Sequence, residues 1–200
     1  MLSKIIRRKK KQNPNTERIT AYQLIKGFTR CPVSQDGDCF YTATSFFCGL
    51  NTDEMRQLVM SYFLFKKAEY SILFESQDDL INAIKENNKP GVWNSDLCDI
   101  APYAAAQALK RSITIYNYDD KKITKICIPV DGDALYPPLH LFRSKNHYEI
   151  LLDNTKKPNK NIYPLPDVSE FYGVIDLTSV EDADERPEIE YEGEECIIRI

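Results

Sequence analysis

Helical spacing and strand-like alternation occupy different halves of this 200-residue chain. In the first half, apolar residues recur at intervals of three and four, which predicts a helix from Cys39 to near Gly49. The same spacing predicts three more helices: one capped by Thr52 or Asp53 and running through Phe65, a weaker one at about 78–86, and one capped by Asn94 or Ser95 and running through Leu109. Pro102 conflicts with the last of these unless the regular helix begins there.

In the second half, β-branched and alternating residues predict strands at 112–116, 123–128, 139–142 and 147–152. Helices followed by strands are typical of an α+β domain, with helices packed around a small, mostly antiparallel sheet.

The length of the chain fits one folded domain with a tail at each end. We expect a basic, unstructured tail at 1–20, the folded domain at 21–155, and a linker with an acidic tail at 156–200. No apolar run approaches the ~20 residues of a membrane helix, so neither a signal peptide nor a membrane partner is expected. Six cysteines without close pairs favour reduced thiols and give no metal site, which predicts a protein of the cytoplasm or nucleus, in a host cell if it is a viral or bacterial effector. We expect a monomer.

The two ends of the chain differ sharply in charge. Residues 4–11 are rich in lysine and arginine, which fits a nuclear signal, a contact with nucleic acid or a membrane surface, or a solvated tail. Because no aromatic residues interleave with these charges, we rank nucleic acid last among the partners. Ten acidic residues and only Arg186 lie between Asp176 and Glu195, although the whole chain has a net charge of only -4.

A polar, glycine-containing turn at 35–38 delivers Cys39 to the first position of a predicted helix. Only a thiolate attacks a carbonyl, and a helix N-terminus favours the thiolate by lowering the pKa of the thiol. Gly37 permits backbone conformations that a side chain forbids. We therefore expect Cys39 to be a nucleophile, with the backbone N–H groups of Gly37, Asp38 and Cys39 forming an oxyanion hole beside it.

The chain contains two histidines, His140 and His147, from which a general base for Cys39 is drawn. His147 begins a predicted strand, where its ring can project from a rigid element toward the cysteine, so we choose it. His140 is flanked by alternating apolar residues and is assigned to an ordinary place in the sheet. An acid that accepts a hydrogen bond from Nδ1 of His147 would orient the ring, and both Glu149, two residues along the same strand, and Asp36 fit this role.

Three segments occur in a fixed order along the chain: Asp36-Gly37-Asp38-Cys39-Phe40-Tyr41, the middle stretch with Gly91-Val92-Trp93, Asp99-Ile100-Ala101 and Ile113-Thr114-Ile115-Tyr116, and Leu141 followed by His147-Tyr148-Glu149. Together they resemble the corresponding segments of cysteine deubiquitinases of the ovarian-tumour (OTU) type. The resemblance extends over about residues 21–153 and implies a papain-like fold. The family often has Asp or Asn two residues after the histidine, whereas this chain has Glu149. The resemblance thus leaves the choice between Asp36 and Glu149 open.

The resemblance implies hydrolysis of the isopeptide bond between the C-terminal glycine of ubiquitin and a lysine, with no cofactor. Cys39 attacks the carbonyl and His147 transfers the proton. We assign substrate binding to Trp93, Asn146 and Tyr148, although Trp93 also fits a place in the core. Two alternatives stay open: a protease for another modifier such as SUMO, and an adaptor that binds ubiquitin or SUMO without catalysis.

The acidic tail contains a short β-forming segment that looks like a SUMO-interacting motif. Val174, Ile175 and Leu177 are its apolar anchors, and Asp176 lies between them. Such a segment can add a strand to an exposed sheet edge while the flanking acids face a basic rim. An edge strand of the domain itself is the other interpretation. If it binds SUMO, the tail would concentrate SUMO-modified substrates near the catalytic domain.

Overall fold

The computed structural model describes residues 25–93, 96–156, 162–172, 188–192 and 195–199, the last two ranges by their backbone only. Its main sheet contains β1 (Phe28–Cys31), β2 (Ile113–Asp119), β3 (Lys122–Ile128), β4 (Leu139–Ser144) and β5 (His147–Asp153). The strand order is β1-β5-β4-β2-β3, and only the pair of β2 and β4 is parallel. A separate antiparallel hairpin joins β6 (Glu188–Glu192) to β7 (Glu195–Arg199). The predicted α+β class with a mostly antiparallel sheet is confirmed.

Six α-helices lie in the described ranges of the chain. They are α1 (Cys39–Ser45), α2 (Thr52–Phe65), α3 (Lys67–Tyr70), α4 (Gln77–Asn87), α5 (Asp96–Ala108) and α6 (Ser169–Tyr172), with a 3-10 turn at Ser71–Leu73 after α3. No helix in these ranges has the length and apolarity that crossing a membrane requires.

The N-terminus of α2 is closed by a capping box. The Asn51 side chain accepts a hydrogen bond from the Glu54 N–H at 2.8 Å, and the Glu54 carboxylate accepts one from the Asn51 N–H at 2.8 Å. Such a cap contributes about 1 kcal/mol. The prediction of Thr52 or Asp53 as the cap is therefore wrong, because Asn51 supplies the side-chain oxygen one position earlier.

Helix α5 does not begin at Pro102, where the sequence allowed a start, but at Asp96. Pro102 lies inside the helix, where its ring replaces the N–H that would otherwise bond to the carbonyl of Cys98. Pro102 and its alanine neighbours are buried. Burial of this face therefore outweighs the local preference of proline. The proposed caps Asn94 and Ser95 lie outside the described residues.

The main core fills the space between the helices and one face of the sheet. Its fully buried members include Phe40, Phe47, Leu58, Leu97, Leu141 and Ile150. The opposite face carries a smaller cluster of Ile25, Phe142 and Leu151. His140 lies between the rings of Phe28 and Tyr116, at centroid distances of 4.8 and 6.1 Å. Burial lowers the pKa of His140 to about 4, so this histidine is a neutral member of the sheet.

The packed unit extends past residue 155, where the sequence predicts a linker. The Tyr163 N–H donates to the Phe47 carbonyl at 3.0 Å. Val168 and Phe171 are buried in the main core, with the Phe171 ring 5.3 Å from that of Tyr62. Residues 162–172 therefore pack as part of the body of the protein, because they supply apolar side chains that complete its core.

Candidate active site

A groove of about 320 Å³ opens where the loop before α1 faces the turn between β4 and β5. Its lining residues are Gln35, Gly37, Cys39, Trp93, Ser144, Lys145, Asn146 and His147. It therefore combines residues from three predicted site segments that are distant in sequence. No cluster of His, Cys, Asp or Glu within the described ranges is arranged to hold a metal ion.

The Cys39 thiol contacts the backbone at the start of β5. The Tyr148 N–H donates to Sγ at 3.5 Å, and the Sγ–H donates to the Asn146 carbonyl at 3.9 Å. Asn146 belongs to the turn between β4 and β5, which has only two residues, and the other turn residue, Lys145, has φ +58°. Tyr148 is the second residue of β5. The backbone on both sides of His147 therefore contacts the thiol, and Cys39 and His147 line the same groove although more than a hundred residues separate them in sequence.

His147 begins β5, and its ring contacts Glu149. Nε2 lies 3.4 Å from Oε1 of Glu149, whereas Nδ1 is buried and has no hydrogen-bond partner in the part of the chain that the structure describes. From the sequence, the bond with Glu149 was expected at Nδ1. The structure instead places Nε2 beside the Glu149 carboxylate.

Arg30 of β1 fixes the carboxylate of Glu149. Its Nη2 donates to Oε1 at 2.8 Å, and its Nε donates to Oε2. The guanidinium also lies over the ring of Phe142, 4.1 Å from the centroid. No pattern in the sequence pointed to Arg30, because β1 was not predicted and the contact arises only when β1 pairs with β5.

The thiol and the imidazole are both poised in their neutral forms. Burial raises the pKa of the Cys39 thiol, the N–H groups of Tyr148 and Phe40 oppose this rise, and the Asp36 carboxylate adds to it. Burial lowers the pKa of His147, while Glu149 acts in the opposite direction. The expectation of a lowered thiol pKa is wrong here, because desolvation outweighs the stabilisation of the thiolate by backbone N–H groups.

Asp36 braces its own loop instead of contacting His147. Its Oδ1 accepts a hydrogen bond from the Asp38 N–H at 2.9 Å. Its charge still acts on both Cys39 and His147 by raising their pKa values. Because the Asp38 N–H is engaged within the loop, it is not free for an oxyanion in this conformation, contrary to the expected set. Gly37 and Cys39 stay predictions for that role.

Gly37 lets the loop before Cys39 touch the turn at 89–92. Its φ is +85°, and a Cβ at this position would overlap the carbonyl oxygen of Gly91. Neither the conformation nor the contact accommodates a side chain. The two loops therefore approach each other through glycine backbone.

Trp93 lies at the boundary of the groove and the core, and its role in substrate binding stays a prediction. It lines the groove, and its ring packs against Phe40, Tyr41 and Tyr148 at centroid distances of 5.3, 5.6 and 5.8 Å. The predicted role of the Tyr148 side chain in substrate binding does not fit this arrangement, because the ring is buried under the groove and only 3% exposed. Tyr148 contacts the Cys39 thiol through its backbone N–H.

The proposed SUMO-binding residues Val174, Ile175, Asp176 and Leu177 lie outside the described residues, and their role stays a prediction.

The model of the family described as OTU-like cysteine protease matches residues 34–148, which include the Cys39 loop and His147. This chain belongs to the OTU-like cysteine protease family. No curated protein matches this OTU-like chain by sequence.

Among solved structures, the OTU domain of OTUD1 shares this fold at low sequence identity. The OTU domain of OTUD1 matches with a TM-score of 0.56 and 21% identity, over 69% of this chain and 94% of that domain. The ubiquitin-bound OTU deubiquitinase of Wolbachia pipientis wMel has a TM-score of 0.45 and 15% identity, over 66% of this chain and 100% of its own. The ubiquitin-bound OTU of Hazara virus has a TM-score of 0.48 and 16% identity, over 62% of this chain and 80% of its own.

Replacing Gly37 by alanine tests the contact between the two loops. We expect Gly37→Ala to lower the free energy of unfolding by about 3 kcal/mol, since it combines left-handed backbone strain with displacement of Gly91. Gly132→Ala is the matched control, because Gly132 has φ +78° and a Cβ added there would meet nothing within 4 Å. The control should lose only about 1 kcal/mol in urea unfolding. Equal losses in the two variants would contradict the contact.

The neutral pair predicts how Cys39 alkylation depends on pH. The rate of its reaction with iodoacetamide, followed at this residue by peptide mass spectrometry, should rise continuously to above pH 9, because the raised pKa keeps the thiol protonated at neutral pH. Asp36→Asn keeps an oxygen acceptor for the loop but removes the negative charge, so its profile should shift to lower pH. A rate that is already constant between pH 5 and 8 would instead indicate a thiolate–imidazolium pair.

Proposed function

We propose that this OTU-like protein is a deubiquitinase that hydrolyses the isopeptide bond between the C-terminal glycine of ubiquitin and a lysine. The observation that carries the proposal is that the Cys39 thiol contacts the backbone on both sides of His147, whose ring in turn contacts the buried carboxylate of Glu149. The choice of ubiquitin rests on the family's cysteine and histidine segments, which are those of deubiquitinases. The groove also suits an extended tail without side chains, because the Trp93 ring and the backbone of Gly37 form parts of its wall.

Acylation begins with proton transfer from Sγ of Cys39 to the imidazole of His147. The sulfur then attacks the carbonyl carbon of the C-terminal glycine, and the carbonyl oxygen becomes an oxyanion. Because Nε2 of His147 faces Glu149, Nδ1 is the nitrogen that receives the proton. The lowered pKa of His147 keeps the ring neutral before the reaction, which is the form that a base requires.

The imidazolium then donates its proton to the departing lysine amine, and the C–N bond breaks. This step leaves a thioester between ubiquitin and Cys39. Water attacks the thioester, His147 accepts a proton from that water, and the proton returns to the sulfur when the C–S bond breaks. The carboxylic acid of ubiquitin and the free thiol are the products, so the cycle closes without a cofactor.

Glu149 is the proposed orienting acid, with Arg30 as its support. The carboxylate accepts from Nε2–H and stabilises the imidazolium that forms during catalysis. Arg30 keeps the carboxylate in one orientation through two hydrogen bonds. Its positive charge also lowers the pKa of His147, which opposes permanent protonation of the ring.

A ubiquitin probe with a C-terminal electrophile tests the function. We expect covalent labelling of the wild type and none of Cys39→Ala, because the electrophile replaces the carbonyl that the thiol attacks. Cys127→Ala is the control for an exposed thiol and should react like the wild type. Labelling by a SUMO probe alone would reassign the substrate to that modifier. Binding of ubiquitin without reaction of any probe would favour an adaptor.

The two acidic candidates are separated by a pair of isosteric substitutions. Glu149→Gln should lower kcat about 10- to 100-fold, since the imidazolium loses its charged partner. Asp36→Asn should change kcat less than about threefold, because the amide oxygen still accepts from the Asp38 N–H. The measurement is hydrolysis of a fluorogenic ubiquitin amide, with melting curves to check folding. The reverse order of losses would make Asp36 the third catalytic member.

A further inference from the structure

Arg56 is a buried cation that lies below the nucleophile loop. Its side chain is 1% exposed, and its guanidinium stacks on the Tyr41 ring at 4.2 Å from the centroid. Nη1 donates to the carbonyl oxygens of Asn87 and Val92 at 2.6 and 3.2 Å. Arg56 therefore ties α2 to the last residue of α4 and to the segment that follows it.

Arg56 also pairs with the carboxylate of Asp38, the residue before Cys39. Nη2 of Arg56 forms an ion pair with Oδ1 of Asp38, and the same oxygen accepts a hydrogen bond from the Gly91 N–H at 2.8 Å. One carboxylate thus joins the nucleophile loop to both α2 and the turn at 89–92. We refer to Arg56, Asp38, Asn87, Gly91 and Val92 together as the Arg56 latch.

A guanidinium in this position is costly to bury. Burial lowers the pKa of Arg56 to about 10, yet the side chain remains a cation at neutral pH. Replacing a buried ion pair by apolar residues is often neutral or stabilising, whereas removing only one partner leaves an uncompensated charge. The stability of α2 alone therefore does not account for an arginine at this position. The guanidinium instead contacts two segments beside the groove, the loop before Cys39 and the segment that contains Val92.

We propose that Arg56 is a positioning residue that acts through Asp38 to fix Cys39 and the Trp93 wall of the groove as one unit. The proposal rests on the function proposed above, because it assumes that Cys39 is the reacting group. The direct contact of Gly37 with Gly91 fixes the distance between the same two loops. The latch also fixes the orientation of the two loops, since the Asp38 carboxylate must face both the Arg56 guanidinium and the Gly91 N–H.

Substitutions of Asp38 separate positioning from mere stability. Asparagine keeps a side-chain oxygen that can accept from both Arg56 and Gly91, whereas alanine keeps none. With a fluorogenic ubiquitin amide, we expect Asp38→Ala to lower kcat at least 10-fold with KM within about threefold, and Asp38→Asn to keep at least a third of kcat. Asp133→Ala removes the same charge from an exposed loop and should behave like the wild type.

A double substitution tests whether Arg56 acts through Asp38. Arg56→Lys keeps the charge but loses the planar fork, so we expect a loss of kcat similar to that of Asp38→Ala. The variant with both changes should lose little more than either single variant, because one interaction is removed in all three. Additive losses would overturn the proposal, as would a fall in melting temperature of Asp38→Ala with an unchanged kcat. If Arg56→Lys does not fold, the Asp38 series decides.

Hydrogen exchange makes the failure of the latch distinguishable from the failure of the proposed function. In Asp38→Ala, peptides covering 36–41 and 89–93 should both exchange faster than in Asp133→Ala, while peptides from β2 should not change. This readout needs no substrate. If the wild type does not cleave ubiquitin but both segments exchange faster, the latch stands and the function falls. Unchanged exchange in the two segments would overturn the latch.

Discussion

The contact between the thiol of α1 and the backbone of β5 is the constraint on which the site depends. The N–H of Tyr148 reaches Sγ of Cys39 only because α1 lies on the sheet face that carries the Tyr148 ring. The rings of Phe40 and Tyr148, 5.2 Å apart, fill the interface directly below this hydrogen bond. A single packing arrangement therefore sets both the core and the position of the Cys39 thiol relative to the start of β5, where His147 lies.

Two arginines surround this contact, and each neutralises one carboxylate near the groove. Arg30 pairs with Glu149, which contacts His147, and Arg56 pairs with Asp38, the residue before Cys39. Each guanidinium also lies over an aromatic ring, which compensates part of its lost hydration. The site is thus built from carboxylates whose orientation is fixed by cations from outside the groove.

The fold and the central pair of the site were accessible from the sequence because their signals are local. Spacing of apolar residues predicted most helices and strands, and the turn before Cys39 and the position of His147 at a strand start led to the residues that line one groove. Arg30 and Arg56 carried no such signal, since Glu149 is 119 residues from Arg30, and Arg56 contacts Asp38, Asn87 and Val92 in separate segments of the chain. The sequence predicted a lowered pKa for the Cys39 thiol, whereas burial raises it. Burial depends on tertiary packing, which no local sequence pattern encodes.

The protonated resting state of Cys39 also bears on the survival of the protein under oxidative stress. Peroxides react with the thiolate far faster than with the thiol, so low-pKa cysteines are the first to form sulfenic acid. Cys39 is only 4% exposed, and its sulfur contacts the carbonyl oxygen of Asn146 in the two-residue turn. Burial of the sulfur, which raises the pKa of the Cys39 thiol, therefore also favours slow oxidation of this residue.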